Sequence, residues 1–325
     1  MGTSESEGPA SSSSASKRKR SASGDSSDVI PAKRLHFIAP NRRYDFDFPD
    51  SVIFYIAKNP TSAKLYKKLI ETCKYFFWKN PILVTYYLTY KNNEMKASFS
   101  EYERHVCLKN VPYKFWVSGY CCIVDGVDSS FKKDLVSSFL PRIYRCKLRS
   151  LTLRNQKLTT DEFSFLAAKT RRVIFIDLTV VNRDGKEIAF EKLVELIPEV
   201  YSLDHTFKDD DKTITAKSVE ELLKLPRLQN FSEFRLFNIP EAFDIDEFLF
   251  SHIEKSKSIF ELVFADDLSV DYQSRLEAII DGLIEAQIFD YIPPFISYPE
   301  MMESVWDDEK LDKLSEVCTT NGFYF

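Results

Sequence analysis

The residue types that carry catalysis and metal binding are few in this chain and lie far apart. There are 4 histidines, His36, His105, His205 and His252, and no two of them are close in sequence. His205 precedes the acidic run of residues 209–211, and an imidazole near carboxylates is one possible set of metal ligands. A solvated loop between a strand and a helix explains the run more simply. We therefore predict no metal site.

The 6 cysteines predict buried, inert side chains. No Cys-x-x-Cys occurs, and the adjacent Cys121 and Cys122 would point to opposite faces of a strand, so they would not share one metal ion. Six irregularly spaced cysteines in 325 residues are also too few for a secreted disulfide scaffold. These features favour a reduced, intracellular protein.

Paired carboxylates do not indicate acid–base catalysis either. They occur as Asp161-Glu162, Glu220-Glu221 and Asp266-Asp267. These pairs lie where predicted helices begin or predicted strands end, and acidic residues in a first turn stabilise a helix through its dipole. The sequence has only 8 glycines and no G-x-S-x-G, P-loop, Rossmann or kinase motif. We predict a protein that is not an enzyme and binds no cofactor.

The composition indicates a chain with ample core and excludes several classes of partner. It is 44% hydrophobic and 14% aromatic, which suits one or two domains. A formal net charge of -5 gives no general attraction to nucleic acid or to anionic membranes. No apolar stretch approaches the ~18 residues that span a bilayer, and no apolar signal segment is present. We expect no direct nucleic-acid partner, no membrane, and localisation in the nucleus and/or cytoplasm.

Residues 1–43 are predicted to be a disordered tail, because they contain almost no large apolar side chains. The tail carries two basic clusters, whose cations are Lys17, Arg18, Lys19, Arg20, Lys33 and Arg34. Compact basic runs in exposed chain fit nuclear-import receptors. A plain solvated charged tail is the alternative.

Residues 48–81 carry regular apolar spacing. Pro49 suits the first turn of a helix, and Asn-Pro pairs at residues 59–60 and 80–81 end two successive helices. The second helix has Thr61 or Ser62 as its cap. The apolar positions are Val52, Ile53 and Ile56 in the first helix, and Leu65, Leu69, Ile70, Cys73 and Phe76 in the second. Because such short helices cannot fold alone, this face must pack against another surface.

This stretch resembles a divergent F-box. Phe48-Pro49-Asp50 stands where that family has Leu-Pro-x-Glu, and most of residues 44–325 is similar to a group of F-box-like proteins, expanded in nematodes, that have leucine-rich C-terminal halves. The resemblance implies that the chain binds a Skp-type adaptor on a cullin scaffold. The implied adaptor contacts are Pro49, Val52, Ile53, Ile56, Leu65 and Leu69. Packing of these side chains on a strand at residues 82–90 is the alternative.

The middle of the chain predicts strands. Residues 82–90 and 111–124 are rich in β-branched and aromatic side chains, and a polar linker separates them at residues 91–96. Residues 129–140 predict a short amphipathic helix that Pro141 stops.

A leucine-rich pattern begins at Leu148. The first copy reads Leu148-x-x-Leu151-x-Leu153-x-x-Gln156-x-Leu158, with Gln where the consensus has Asn or Cys. Copies of its strand part begin at Val173, Val200, Phe231 and Ile259. Helices are predicted between these copies, at residues 161–168, 190–197, 218–225, 245–253 and 272–286.

The predicted fold class is α/β. An N-terminal helical F-box-like unit with a strand (residues 44–90) and a connecting α/β segment (91–147) precede a short, irregular leucine-rich-repeat-like solenoid (148–325). A last helix near residues 301–317 would cap the solenoid, since terminal repeats must shield the core. An ordinary layered α/β domain is the alternative.

Two functions suit this organisation. The first is a non-catalytic substrate receptor of a cullin-type (SCF) ubiquitin ligase, which holds a target protein of unknown identity near the charged conjugating enzyme. The second is a nuclear or cytoplasmic repeat scaffold in which the helices only cap the solenoid. The candidate target contacts are Thr152, Arg154, Asp177, Thr179, Arg235 and Glu261, each of which is equally compatible with a plain solvated position.

Overall fold

The computed structural model describes residues 46–91, 94–124, 132–286, 289–299 and 305–323. These form a mixed α/β structure, as predicted. The predicted tail lies outside the described residues, and so do its basic side chains Lys17, Arg18, Lys19, Arg20, Lys33 and Arg34.

Helices and strands alternate along most of the chain. The helices are α1 (Asp50–Lys58), α2 (Ala63–Thr72), α3 (Lys74–Lys79), α4 (Leu135–Phe139), α5 (Thr160–Ala167), α6 (Phe190–Glu195), α7 (Ser218–Leu223), α8 (Ile245–Ser251), α9 (Val270–Ala286) and α10 (Val305–Thr320). The strands are β1 (Ile82–Lys91), β2 (Glu94–Ser98), β3 (Val106–Cys107), β4 (Lys114–Ile123), β5 (Ile143–Cys146), β6 (Ser150–Arg154), β7 (Lys157–Thr159), β8 (Arg172–Ile176), β9 (Thr179–Val181), β10 (Ser202–Thr206), β11 (Glu233–Ile239), β12 (Ile259–Phe264) and β13 (Phe295–Ser297).

Eleven strands form one sheet. Its order is β13-β12-β11-β10-β8-β6-β4-β1-β2-β3, with β5 beside β4, while β7 and β9 form a separate pair. From β1 to β13 all neighbours are parallel, whereas β2 and β3 extend the sheet in antiparallel fashion. Strands from the three predicted segments at residues 44–90, 91–147 and 148–325 therefore share this sheet.

The helices α5 to α9 lie on one face of the sheet. Each connects one parallel strand to the next one in the same direction, and right-handed crossovers that always step in one direction keep their helices on one side. The strands bury alternate residues, such as Leu151 and Leu153 in β6 or Phe234 and Leu236 in β11. The residues between them are half-buried. We call the side of the sheet that carries these half-buried residues the open face.

The N-terminal helices form a small unit with its own core. Ile53 and Ala57 of α1 pack against Phe76 of α3. Helix α2 packs across the sheet, because Tyr66 lies buried against Ile82, Val84 and Trp116. The unit therefore covers part of the sheet beside β1 and β4.

The second predicted N-terminal helix is divided in two. Ser62 caps α2 as predicted, since its hydroxyl accepts a hydrogen bond from the Leu65 amide at 3.2 Å. The helix ends at Cys73, whose φ of -145° and ψ of 120° are extended, and α3 begins at the next residue. Helix α3 buries both Phe76 and Phe77: Phe76 packs with Ile53 and Ala57 of α1, while the ring of Phe77 lies 5.0 Å from that of Tyr113.

The other predictions of secondary structure are largely confirmed. Helices α5 to α9 match the five predicted helices, with ends that differ by no more than two residues, and β1 and β4 match the predicted strands. The predicted linker at residues 91–96 is wrong, because β2 begins at Glu94 and pairs with β1 while its Ala97 is fully buried. The predicted helix at residues 129–140 is shorter within the described residues. It covers only Leu135–Phe139 and continues as a 3-10 turn through Pro141.

Candidate functional site

A network of five charged side chains occupies the open face. We call it the ionic network; its members are Arg172, Asp204, Glu233, Arg235 and Glu261. Arg235 is its centre: its guanidinium lies 3.0 Å from Glu233 Oε2 and 3.1 Å from Glu261 Oε2. Asp204 lies 3.5 Å from Arg235 and 3.4 Å from Arg172. The network thus joins strands β8, β10, β11 and β12.

Strand register places these groups together. Asp204 is the partner of Arg235, and Arg235 is the partner of Glu261, so the three form one row across β10, β11 and β12. Glu233 lies in a neighbouring row, opposite Ser202, whose hydroxyl donates to Glu233 Oε2 at 2.9 Å. Alternation within each strand determines which residues point to the open face, and the register between strands then brings these particular residues into contact.

The centre of the network is only slightly exposed, whereas the side chain of Arg172 at its edge is 42% exposed. The side chains of Arg235 and Asp204 are each 15% exposed and that of Glu261 is 21% exposed. Burial raises the pKa of Glu261, Arg235 opposes this increase, and the neighbouring Asp204 adds to it. Two guanidiniums and three carboxylates make a rigid hydrogen-bonding surface.

The structure brings together some of the predicted target contacts but not all. Arg235 and Glu261 are in direct contact, and Thr152 lies in the same row on β6, separated from them by the intervening strands β8 and β10. Arg154 ends β6. Asp177 follows β8 with a positive φ of 52°, and Thr179 lies on β9.

Thr179 and Asp177 interact with neighbours outside the ionic network. The Lys208 ammonium donates to Thr179 Oγ1 at 3.2 Å. Burial raises the pKa of Asp177, against the effect of Arg154. These residues lie at the carboxyl ends of the strands, apart from the ionic network.

Sequence reasoning missed Arg172, Asp204 and Glu233. A usable signal was present for Asp204, which directly follows the buried Leu203 just as Arg235 follows Phe234 and Glu261 follows Phe260. In β10, β11 and β12 the polar residue after this buried position therefore marks one row of the open face, and Ile174 of β8 is an apolar member of the same row.

The predicted adaptor contacts are divided between the surface and the interior of the helical unit. Pro49, Val52 and Leu65 are exposed, Ile56 and Leu69 are half-buried, and Ile53 is buried. Three aromatic side chains that the prediction did not include, Phe54, Tyr55 and Trp78, are exposed beside them. We call the exposed set the helical apolar surface; it comprises Phe48, Val52, Phe54, Tyr55, Leu65 and Trp78.

His205 is a core residue and not part of a solvated loop. Its ring lies 4.5 Å from the ring of Phe207 and 5.0 Å from that of Phe190. Burial lowers the pKa of His205 to about 4. The acidic run after it forms a turn in which Asp211 accepts hydrogen bonds from the amide and hydroxyl of Thr213. Within the described ranges, no group of three or more His, Cys, Asp or Glu residues could hold a metal ion.

Comparison with known protein families finds no family model that matches this chain, and comparison with curated proteins finds no match. Among the helices of the described segments, none is long and apolar enough to cross a membrane.

Proposed function

We propose that this chain is a non-catalytic receptor that joins a target protein to a cullin-type (SCF) ubiquitin ligase. Helices α1 to α3 would form an F-box-like unit that docks a Skp-type adaptor on the cullin scaffold, and the open face would bind the target. The observation that carries the proposal is the helical apolar surface.

The helical apolar surface contains more exposed large hydrophobic side chains than a surface without a binding partner usually has. Of the 12 large hydrophobic side chains exposed in the described residues, 6 lie between Phe48 and Trp78. Scattered exposed apolar residues are normal, but a cluster marks a site of interaction. The Lys79 ammonium lies 4.3 Å from the centre of the Trp78 ring and 5.8 Å from that of Phe54. It therefore holds two of these aromatic rings around one cation.

The finer architecture that we propose for the C-terminal part is a leucine-rich-repeat-like solenoid. Its support is local. Gln156, at the consensus Asn position, is buried, accepts a hydrogen bond from the Val136 amide at 3.1 Å, and donates to the Lys132 carbonyl at 3.1 Å. Asn155, Asp177 and Asn238 all have positive φ. Each follows the first buried residue of its strand by four positions, as a repeated unit would require.

The open face suits the binding of a protein target. Its charged groups are held by one another, so little side-chain freedom would be lost on binding. A receptor of this kind acts by proximity and needs no acid, base or nucleophile of its own.

A repeat scaffold, with the helices as a cap, is the second candidate function. Its support is the packing of Tyr66 against Ile82, Val84 and Trp116, which fastens α2 to the sheet. In this case the helical apolar surface would have no adaptor to bind.

Co-purification of the full chain with a Skp-type adaptor tests the proposal. Ile53→Asp is unsuitable as the test variant, because Ile53 is part of the core and its loss would unfold the helices. Val52→Asp and Leu65→Asp change exposed residues, and we expect them to abolish capture. Val270→Asp is the control, since Val270 is 76% exposed on a distant helix. Absence of capture by the folded wild-type chain would favour the scaffold.

A further inference from the structure

A cleft of about 1020 Å³ lies between the helical unit and the sheet. Its walls come from the first turn of α2, from β1 and β4, from residues 145–149 and from the end of α5. Most of the cations at its surface are exposed. This volume is at the upper end of the range for small-molecule sites, about 300–1,000 Å³.

The cleft is strongly basic. Six cations line it, Lys64, Lys67, Arg145, Lys147, Arg149 and Lys169, against the two carboxylates of Glu101 and Glu199. The chain as a whole has a formal net charge of -5, so the positive charge is a local feature. A cleft lined by one sign of charge concentrates ions of the opposite sign.

Most of these cations have no carboxylate partner. Lys169 pairs with Glu199 at 2.5 Å, and Lys67 lies 3.7 Å from Glu71. Lys64, Arg145, Lys147 and Arg149 form no ion pair with any described residue. The contrast with the open face is clear, because Arg172 and Arg235 are both paired there.

The two arginines are held in place without being neutralised. Arg145 donates to the Pro60 carbonyl at 2.9 Å, and its guanidinium lies 5.1 Å from the Trp116 ring and 5.0 Å from the Tyr144 ring. Arg149 donates to the Tyr86 hydroxyl at 3.3 Å. Aromatic rings and neutral oxygens thus orient both guanidiniums, and neither forms a direct ion pair with a described carboxylate. The Tyr86 hydroxyl in turn donates to Glu101 Oε1 at 3.4 Å.

The helix that borders the cleft adds to its positive potential. Ser62, Ala63 and Lys64 of the first turn of α2 are part of the wall. The first amides of a helix are unpaired, and the helix dipole is positive at this end. Independent elements of the fold therefore favour negative charge at the same place.

We propose that this cleft is a binding site for a small polyphosphate, that is, a ligand with two or more linked phosphate groups. Guanidinium groups bind phosphate through two parallel hydrogen bonds. Because several cations of the cleft form no ion pair with a described carboxylate, the cleft favours a ligand that carries several negative charges. The inference does not depend on adaptor binding.

Isothermal titration of the full chain with inorganic tripolyphosphate at physiological salt tests this site. The test variant is Lys64→Ala with Lys147→Ala, because both side chains are exposed and form no ion pair that the structure describes. The matched control is Lys109→Ala with Lys257→Ala, two exposed lysines outside the cleft. Both variants remove two positive charges, and both keep the basic tail.

We expect the test variant to weaken tripolyphosphate binding roughly tenfold or more, since two charge-assisted contacts are lost, while the control binds as the wild type does. A parallel titration with ATP separates the two sources of this chemistry. Tighter binding of ATP than of tripolyphosphate would assign a nucleotide, and equal binding would assign the phosphates alone. Equal losses in the test and control variants would overturn the proposal, as would binding of a doubly phosphorylated peptide but not of tripolyphosphate.

Discussion

Replacement of His205 by Phe should make this protein less sensitive to acid. The imidazole of His205 is buried among the rings of Phe175, Phe190 and Phe207, and no described residue forms a hydrogen bond with its Nδ1. A charged imidazolium would be poorly solvated there. Burial is the main cause of the low pKa, while Asp211 raises it and Lys208 lowers it.

The magnitude follows from the difference in proton binding between the two states. The pKa of His205 is about 4 in the folded protein, against 6.5 for an ordinary histidine. Below pH ~6.5 the unfolded chain therefore binds a proton that the folded protein does not bind. The free energy of unfolding decreases as the pH is lowered, until the folded state is also protonated near pH ~4. The full loss is about 3 kcal/mol, of which about 2 kcal/mol occurs between pH 7.5 and pH 5.

Urea denaturation of wild type and His205→Phe at a series of pH values measures this effect. Between pH 7.5 and pH 5, we expect the free energy of unfolding to decrease by about 2 kcal/mol less in the variant than in the wild type, which makes its slope against pH shallower. The slope is the relevant readout, because the extra volume of Phe also changes absolute stability. His252 is a second buried histidine, and burial lowers its pKa too, so some acid sensitivity should persist. The control is His105→Phe, at an exposed position; an equal slope in wild type and His205→Phe would refute the reasoning.

Four further predictions follow from packing, charge and the tail. Arg235→Met should destabilise the fold by about 3 kcal/mol in urea denaturation, because it leaves three poorly solvated carboxylates without their common partner. Gly119→Ala should destabilise by about 1–3 kcal/mol, since a Cβ there would lie 2.4 Å from the Tyr86 carbonyl oxygen. Gly282→Ala in α9 should instead stabilise by about 0.5–1 kcal/mol, because a Cβ there meets nothing within 4 Å. Deletion of residues 17–34 from a fluorescent fusion should disperse a nuclear signal.

Each of these predictions has an outcome that would contradict it. A loss below about 1 kcal/mol for Arg235→Met would mean that its carboxylates are well solvated. Similar effects of the two glycine substitutions on stability would contradict the close approach of Gly119 in β4 to the Tyr86 carbonyl. An unchanged distribution of the fusion would assign the basic clusters to a plain solvated tail.

The sequence predicted the alternation of strands and helices well, because apolar spacing reports local geometry. Phe163, Leu166 and Ala167 of α5 are buried on one side, as are Leu276, Ile280 and Leu283 of α9. The prediction was wrong at residues 91–96, where charged and amide side chains concealed a strand. Composition there favours a loop, and only pairing with β1 makes Glu94–Ser98 extended.

The binding surfaces were harder to predict than the elements. Arg235 and Glu261 were predicted as candidate contacts on strands, but they are half-buried, and nothing in the sequence indicated that they touch. Their contact depends on the register between β11 and β12. Similarly, the spacing of Ile53 predicts an apolar face, but it does not say whether that face meets a partner or Phe76 of the same chain.

The sequence by itself determined most of the strands and helices, and which side of each is apolar, because both follow from periodicity within a few residues. Tertiary structure decided the rest. The ionic network joins residues of four different strands, the basic cleft joins α2 to residues 145–149 and the end of α5, and His205 is buried by Phe175 and Phe190 from other elements. The physical reason is that charge, burial and proton affinity depend on distances through space, which local spacing in the chain does not encode.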